Sequence, residues 1–288
     1  MEDFVKSLIK RYDHIYAQRD NWNTHYQELA DYMLPRKADI VKKRSKGEKR
    51  MEQIYDGTAL QAVDLLSASL HGMLTSGATP WFHLDVKDAD VSRDDDVQEW
   101  LQDTSMRMIR CFNHSNFETE IHEMYVDLVV FGTGCMFVEM EEDQLRFSTR
   151  HISEFYVQEN QYGIVDTVFR KYKLPVRQVV HRFGLDNVTR NIFKKFNEKP
   201  DEEVELLHGV LPRINRNPDK KDNKNMPFAS YYIDVESSSL LSESGFEEMP
   251  YIVPRFLKGT GEIMGRSPAM VALPDVKMLN LMSKTIIQ

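Results

Sequence analysis

The sequence predicts an α+β protein: long helices first, a strand-rich middle, and a closing helix. Three observations predict it. Apolar residues recur at three- and four-residue steps through most of the first 130 positions. From Cys135 to Phe256, β-branched and aromatic residues fill short runs broken by polar turns. After Pro268 the helical rhythm returns. With 41% hydrophobic and 28% charged residues in a chain of 288, the composition is that of a globular protein. A mean hydropathy of -0.49 argues against a polytopic membrane protein. The longest apolar stretch, Leu128 to Val138, holds only eleven residues, two of them glycines.

The elements follow in order. Phe4, Leu8, Tyr12, Ile15, Trp22, Tyr26, Leu29 and Met33 mark one helix ended by Pro35, roughly 50 Å long at 1.5 Å per residue. Its apolar stripe must be covered, and we expect part of it to pack on a neighbouring subunit. Asp56 opens a second helix with Ala59, Val63, Leu66, Leu70 and Met73 on one face, closed by Gly77 and Pro80. A third begins at SRDDD, with Ser92 as cap and Asp95 three residues on. Its expected buried stripe is Val97, Trp100, Leu101, Met108 and Phe112. A fourth starts at Asn116 and buries Ile121, Met124, Tyr125 and Leu128.

Strands are expected at CMFVEM, QLRFST, SEFYV, IVDTVFRKYK, VELLHGVL, FASYYIDV and YIVPRF. Pro175 starts a short helix that Gly184 ends. In the closing helix, Met270, Leu273, Val276, Leu279 and Met282 share a face. It stops with no glycine, asparagine or proline, so we expect a fragment cut inside a helix or a helix continued elsewhere.

Charge is uneven. The net formal charge is -8, which disfavours a duplex-DNA grip by the chain as a whole. Segment 36–50 is nevertheless basic, with Arg36, Lys37, Lys42, Lys43, Arg44, Lys46, Lys49 and Arg50 against two acids. Such a run is ordinarily a solvated loop, and it allows a second reading as a nucleic-acid or partner contact. Segment 85–99 carries seven acidic and two basic residues, explained by the positive end of a helix dipole.

No pattern predicts catalysis, a metal or a cofactor. TGEIMGRS at 260–267 has Thr260 and Arg266 where a phosphate loop needs glycine and lysine, and Pro268 removes an amide; a nucleotide site is the weakest reading. FGTGCMF reads as a helix-to-strand turn. The nine histidines form no helical metal pair, and two cysteines, Cys111 and Cys135, make no disulfide framework.

Three stretches carry a resemblance. YDGTALQAVDLLSASLHGMLTSGATPWFHLDV contributes Asp56, Thr58, Ala59, Gly72, Leu74, Thr75, Trp81 and Phe82. YIVPRFLKGTGEIMGRSPAMVALPDVKMLN contributes Arg255, Gly265, Arg266, Pro268, Ala269, Leu273, Pro274, Asp275, Leu279 and Asn280, with Met264 where tyrosine is expected. NFETEIHEMYVDLVVFGTGCMFVE adds a helix-turn-strand passage. Together they resemble the N-terminal half of the head-to-tail connector (portal) proteins of short-tailed bacteriophages. The resemblance implies a portal wing with a mainly helical part at 1–130, a strand-rich part at 131–267 and the start of a stem helix at 268–288. It also implies a structural subunit without catalysis, in a homo-oligomeric ring of usually twelve at the capsid vertex. The ring would be assembled in the host cytoplasm and carried in the virion. Its partners would be capsid and scaffolding protein, terminase and tail adaptors, with double-stranded DNA passing through without sequence-specific binding and no membrane.

Overall fold

A computed structural model describes residues 2–45, 47–88, 90–220 and 222–287. It is mixed α and β and divides into two compact units, each described by itself. The first unit holds Met1–His25, His151–Tyr251 and Gly261–Ile263. The second holds Tyr26–Arg150, Ile252–Thr260 and Met264–Gln288.

The first unit is built on a five-stranded antiparallel sheet in the order β3-β4-β5-β6-β7. The strands are β3 (Phe155–Glu159), β4 (Val165–Pro175), β5 (Glu203–Pro212), β6 (Phe228–Asp234) and β7 (Ser239–Phe246). Side chains alternate between its faces, so neighbouring residues enter different cores. Phe169, Leu207, Ala229, Tyr231 and Ile233 pack against helix α1 (Glu2–Gln18) through Val5, Leu8, Tyr12 and Ile15. Tyr172, Val204, Leu206, Tyr232 and Leu241 pack against α6 (Val176–Phe183) and α7 (Arg190–Glu198) through Val176, Val179, Val180, Phe183 and Ile192. The outcome is helix, sheet, helix. Gly209 sits opposite Phe169, whose ring fills the space a Cβ would take.

Two expectations about the first helix are corrected here. Its stripe over Val5 to Ile15 is buried inside this unit, which removes the reason to pack it on a neighbour. The helix is also interrupted: α1 ends at Gln18 and α2 (Asp20–Met33) begins after Arg19. Arg19 is buried, donates to the Ile152 carbonyl at 2.8 Å and to that of Phe155, and lies 4.0 Å over the Tyr156 ring. A guanidinium with these carbonyls to satisfy outweighs helix continuity at that position.

The second unit gathers the C-terminal part of α2, α3 (Thr58–Leu74), α4 (Asp95–His114), α5 (Phe117–Phe131), the hairpin of β1 (Met136–Glu141) and β2 (Gln144–Thr149), and α8 (Pro268–Ile287). α5 is central, with every residue from Met124 to Phe131 buried. Its left-handed terminator, Gly132 at φ +74°, donates to the Leu128 carbonyl and turns the chain into β1, as expected of FGTGCMF. Asn116 does not cap α5 with its side chain; instead it accepts from the Phe147 amide and donates to the Phe147 carbonyl, fastening β2.

Other expectations shift at their edges. The cap of α4 is Asp94, which accepts from the amides of Asp96 and Val97, while Ser92 donates to Asp85. The buried face of α4 is Leu101, Ser105 and Ile109; Trp100 is 64% exposed and Met108 38%. α7 and β7 were not expected from the sequence. Only Tyr251–Ile252 of YIVPRF forms strand. In α8 the buried residues are Ala269, Leu273 and Asn280, whereas Leu279 and Met282 are exposed.

Candidate functional site

The residues singled out from sequence gather where α8 is rooted in the second unit. Gly132 and Gly265 face one another so closely that a Cβ on either would meet the other's carbonyl oxygen, at 2.5 Å and 2.1 Å. Around them the segment after Ile252 returns to the α5 terminus. The Gly134 amide donates to Pro254, the Phe256 amide to Gly132, and Thr133 bridges Arg255. Leu257 and Arg266 exchange backbone hydrogen bonds at 3.2 and 2.7 Å. The Gly265 amide donates to Thr133 Oγ1 at 2.8 Å.

The helix start is held as firmly. Ser267 Oγ donates to the Val130 carbonyl and accepts from the Met270 amide, so it caps α8 while tying it to α5. Pro268 then occupies the first helical position, where its missing amide is harmless. Leu273 is buried, Asp275 is exposed, and Pro274 lies within the helix. Having no N–H, Pro274 leaves the Met270 carbonyl without its intrahelical donor.

Asn280, two turns further, joins the two resembling stretches. Its Oδ1 accepts from the amides of Tyr55, at 2.7 Å, and Asp56, at 3.3 Å, and its Nδ2 donates to the Gln53 carbonyl at 2.9 Å. Asp56 in turn accepts from the Thr58 amide at the entrance to α3. Positions 224 residues apart thus form one clamp, supported by the ion pair of Lys277 with Glu28. Trp81 and Phe82 lie elsewhere, in an aromatic cluster: Trp81 stacks on Phe117 at 5.8 Å and Phe112 at 5.9 Å, and Phe82 meets Trp81 edge-on.

The basic segment is largely neutralised by its own surroundings. Arg36 and Lys37 pair with Glu123, Lys37 with Asp127 at 2.7 Å, Lys42 and Arg44 with Asp31, and Arg50 with Asp39. Gln27, buried on α2, accepts from the amides of Ile40, Val41 and Lys42 and donates to the Ala38 carbonyl. Lys43 and Lys49 are in none of these pairs, and Lys46 lies outside the described residues. Gln27, Thr133 and Ser267 were missed in the sequence. A glutamine between buried Tyr26 and Leu29, and a serine directly before a proline-started helix, are the signals that point to two of them.

Burial alone would raise the Glu123 carboxyl, but the hydrogen bond from Arg36 and the charge of Lys37 outweigh it and hold it below the usual carboxylate range. Its contribution to stability is therefore complete above an unfolded value of about 4.3 and is lost as the pH falls through the lower folded value. Glu123→Gln should destabilise by about 1 kcal/mol or less at pH 7. The gap from wild type should narrow toward pH 3 in urea titrations; a gap that widens on acidification would contradict this.

The root of α8 is held by facing glycines, backbone bridges and a helix cap. Among the described residues no three His, Cys, Asp or Glu side chains are placed to hold a metal ion. The Gly265 and Arg266 amides, which a phosphate loop would aim at a ligand, are engaged within the protein, so TGEIMGRS offers no cradle. Among the described residues no helix is long and apolar enough to cross a membrane.

Comparison with known proteins adds three findings. Residues 5–288 match the family model described as bacteriophage head to tail connecting protein. The chain is 32% identical over 279 residues to a probable portal protein of Bordetella phage BPP-1, covering 95% of this chain and 50% of that one. It is 34% identical over 284 residues to the portal protein of Salmonella phage epsilon15, covering 96% and 51%. The chain therefore spans about half the length of the curated relatives it matches.

Proposed function

Because the chain belongs to the bacteriophage head-to-tail connecting protein family, we propose that it is the wing-like part of a portal subunit, with α8 beginning the stem. Identical subunits close a ring, twelve in our reading, at one vertex of the capsid. The ring serves as the conduit for DNA packaging and ejection and as the seat for terminase, scaffolding or capsid protein, and tail adaptors. It is a virion component assembled in the host cytoplasm. The observation that carries the proposal is the family match across residues 5–288.

Two physical features support it. A net charge of -8 lets duplex DNA slide past without the salt-dependent brake that phosphate pairing would impose. The basic segment does not reverse this, since Arg36, Lys37, Lys42, Arg44 and Arg50 are paired within the chain. Residue 265 and its neighbours act as structural positions, fixing the direction of α8 where the resembling motifs converge. Arg255, Gly265, Arg266, Pro268, Leu273, Pro274, Asp275, Asn280 and Asp56 are assigned to that junction, and Trp81 and Phe82 to the packing beneath α4 and α5.

Negative-stain microscopy of the purified gene product that contains this chain tests the reading. Closed rings with a central hole are expected. Unassociated subunits at tens of micromolar protein, or hydrolysis of a nucleoside triphosphate by the protein unaided, would overturn it.

A further inference from the structure

Outside the junction, the second unit carries a groove of about 500 Å3 between residues 80–85 with Ser92 on one side and α4 on the other. Phe82, Leu84, Leu101 and Met106 give it an apolar lining, with Gln98 and Gln102 along one edge. Its wall is fixed in place: Ser105 accepts from the Leu84 amide at 2.9 Å while donating to the Leu101 carbonyl. One end is strongly acidic. Asp85 lines the groove, and its carboxyl is held below the usual range, first by the Ser92 hydroxyl and then by the Val86 amide. Asp94, Asp95, Asp96 and Glu99 continue the charge along the first turns of α4, where Asp95 shares a helix face with Gln98 and Gln102.

Among the described residues this end has one ion pair, the exposed Arg93–Asp90 contact at 3.9 Å. Capping accounts for Asp94 and the helix dipole for Asp95 and Asp96, which leaves Asp85 on the groove lining and Glu99 in the second turn of α4. A second copy of this chain is the weaker occupant: in its basic segment Arg36, Lys37, Lys42, Arg44 and Arg50 are already paired with Asp31, Asp39, Glu123 and Asp127, which leaves Lys43 and Lys49 among the described residues. We propose that this groove receives a basic amphipathic segment of another protein. Its apolar side chains enter the trough over Leu84, Leu101 and Met106, and its lysines or arginines meet Asp85, Asp95 and Glu99. The inference does not depend on ring closure, so the two can fail separately.

The probe is a fluorescein-labelled helical peptide with leucines on one face and lysines on the other, titrated with the full chain and followed by anisotropy. Binding should weaken steeply between about 50 and 300 mM salt. Asp95→Lys with Glu99→Lys should weaken it at least tenfold, and Gln102→Trp, which narrows the trough at an exposed position, should do so without altering charge. Circular dichroism would show both variants folded. A lysine peptide lacking leucines that binds equally well, affinity unchanged in either variant, or self-association of the chain that Asp95→Lys with Glu99→Lys abolishes would each overturn the proposal.

Discussion

Gly265→Val should be the most damaging single substitution in the second unit, with a loss of about 3 kcal/mol or more. The new Cβ would lie 2.1 Å from the Gly132 carbonyl oxygen and 2.9 Å from the Arg255 Cβ. Both obstacles are main chain or directly attached to it, so neither can swing aside as a flexible side chain would. Overpacking typically costs about 1–3 kcal/mol even where side chains can shift. Here the Thr133–Arg255 and Leu257–Arg266 bridges would have to separate as well. Gly132→Ala adds a left-handed backbone to a 2.5 Å clash with Gly265, for about 2–5 kcal/mol in total.

The control lies on α3. Gly72 is helical with open space around it, so Gly72→Ala should be neutral or stabilise by up to about 1 kcal/mol. Denaturant titrations of the three variants decide the matter. Equal effects at positions 72 and 265 would show that the glycine contact does not hold the junction.

Asn280→Leu should come next, at about 2–4 kcal/mol. Leucine has similar bulk but can neither accept from the Tyr55 and Asp56 amides nor donate to Gln53. Those backbone groups sit in a partly exposed loop, so water recovers some of the loss, which keeps the figure below the sum for three buried orphans. Asn280→Asp keeps the acceptor and loses the donor, and should fall between leucine and wild type. Hydrogen exchange at the Tyr55 and Asp56 amides gives a local readout. It should accelerate in Asn280→Leu while amides in α5 beyond the junction stay protected; unchanged exchange at Tyr55 would refute the clamp.

How much of this was legible in the sequence depends on whether the determinant was local. Apolar periodicity located α3, α4, α5 and α8, and β-branched runs located β1 to β6, because burial of one face is written into successive residues. The break at Arg19 was invisible, since its cause is a pair of carbonyls some 133 to 136 residues away. β7 was hidden by its serines, which look like a loop until β6 supplies a pairing partner. The α4 cap went to Asp94 rather than Ser92 because Ser92 is drawn to Asp85. At the candidate site, the resemblance picked out Gly265 and Asn280 but gave no reason for either. The reasons are the facing Gly132 carbonyl and the 53–56 backbone, both distant in sequence and adjacent in space.

The missing rung at Pro274 leaves α8 with a soft point lying between two fixed ones. Its root is locked to α5 through Ser267, and its distal half is moored by Asn280 and Lys277. A sideways load on the far end therefore meets the Asn280 clamp before it can reach the proline or the root.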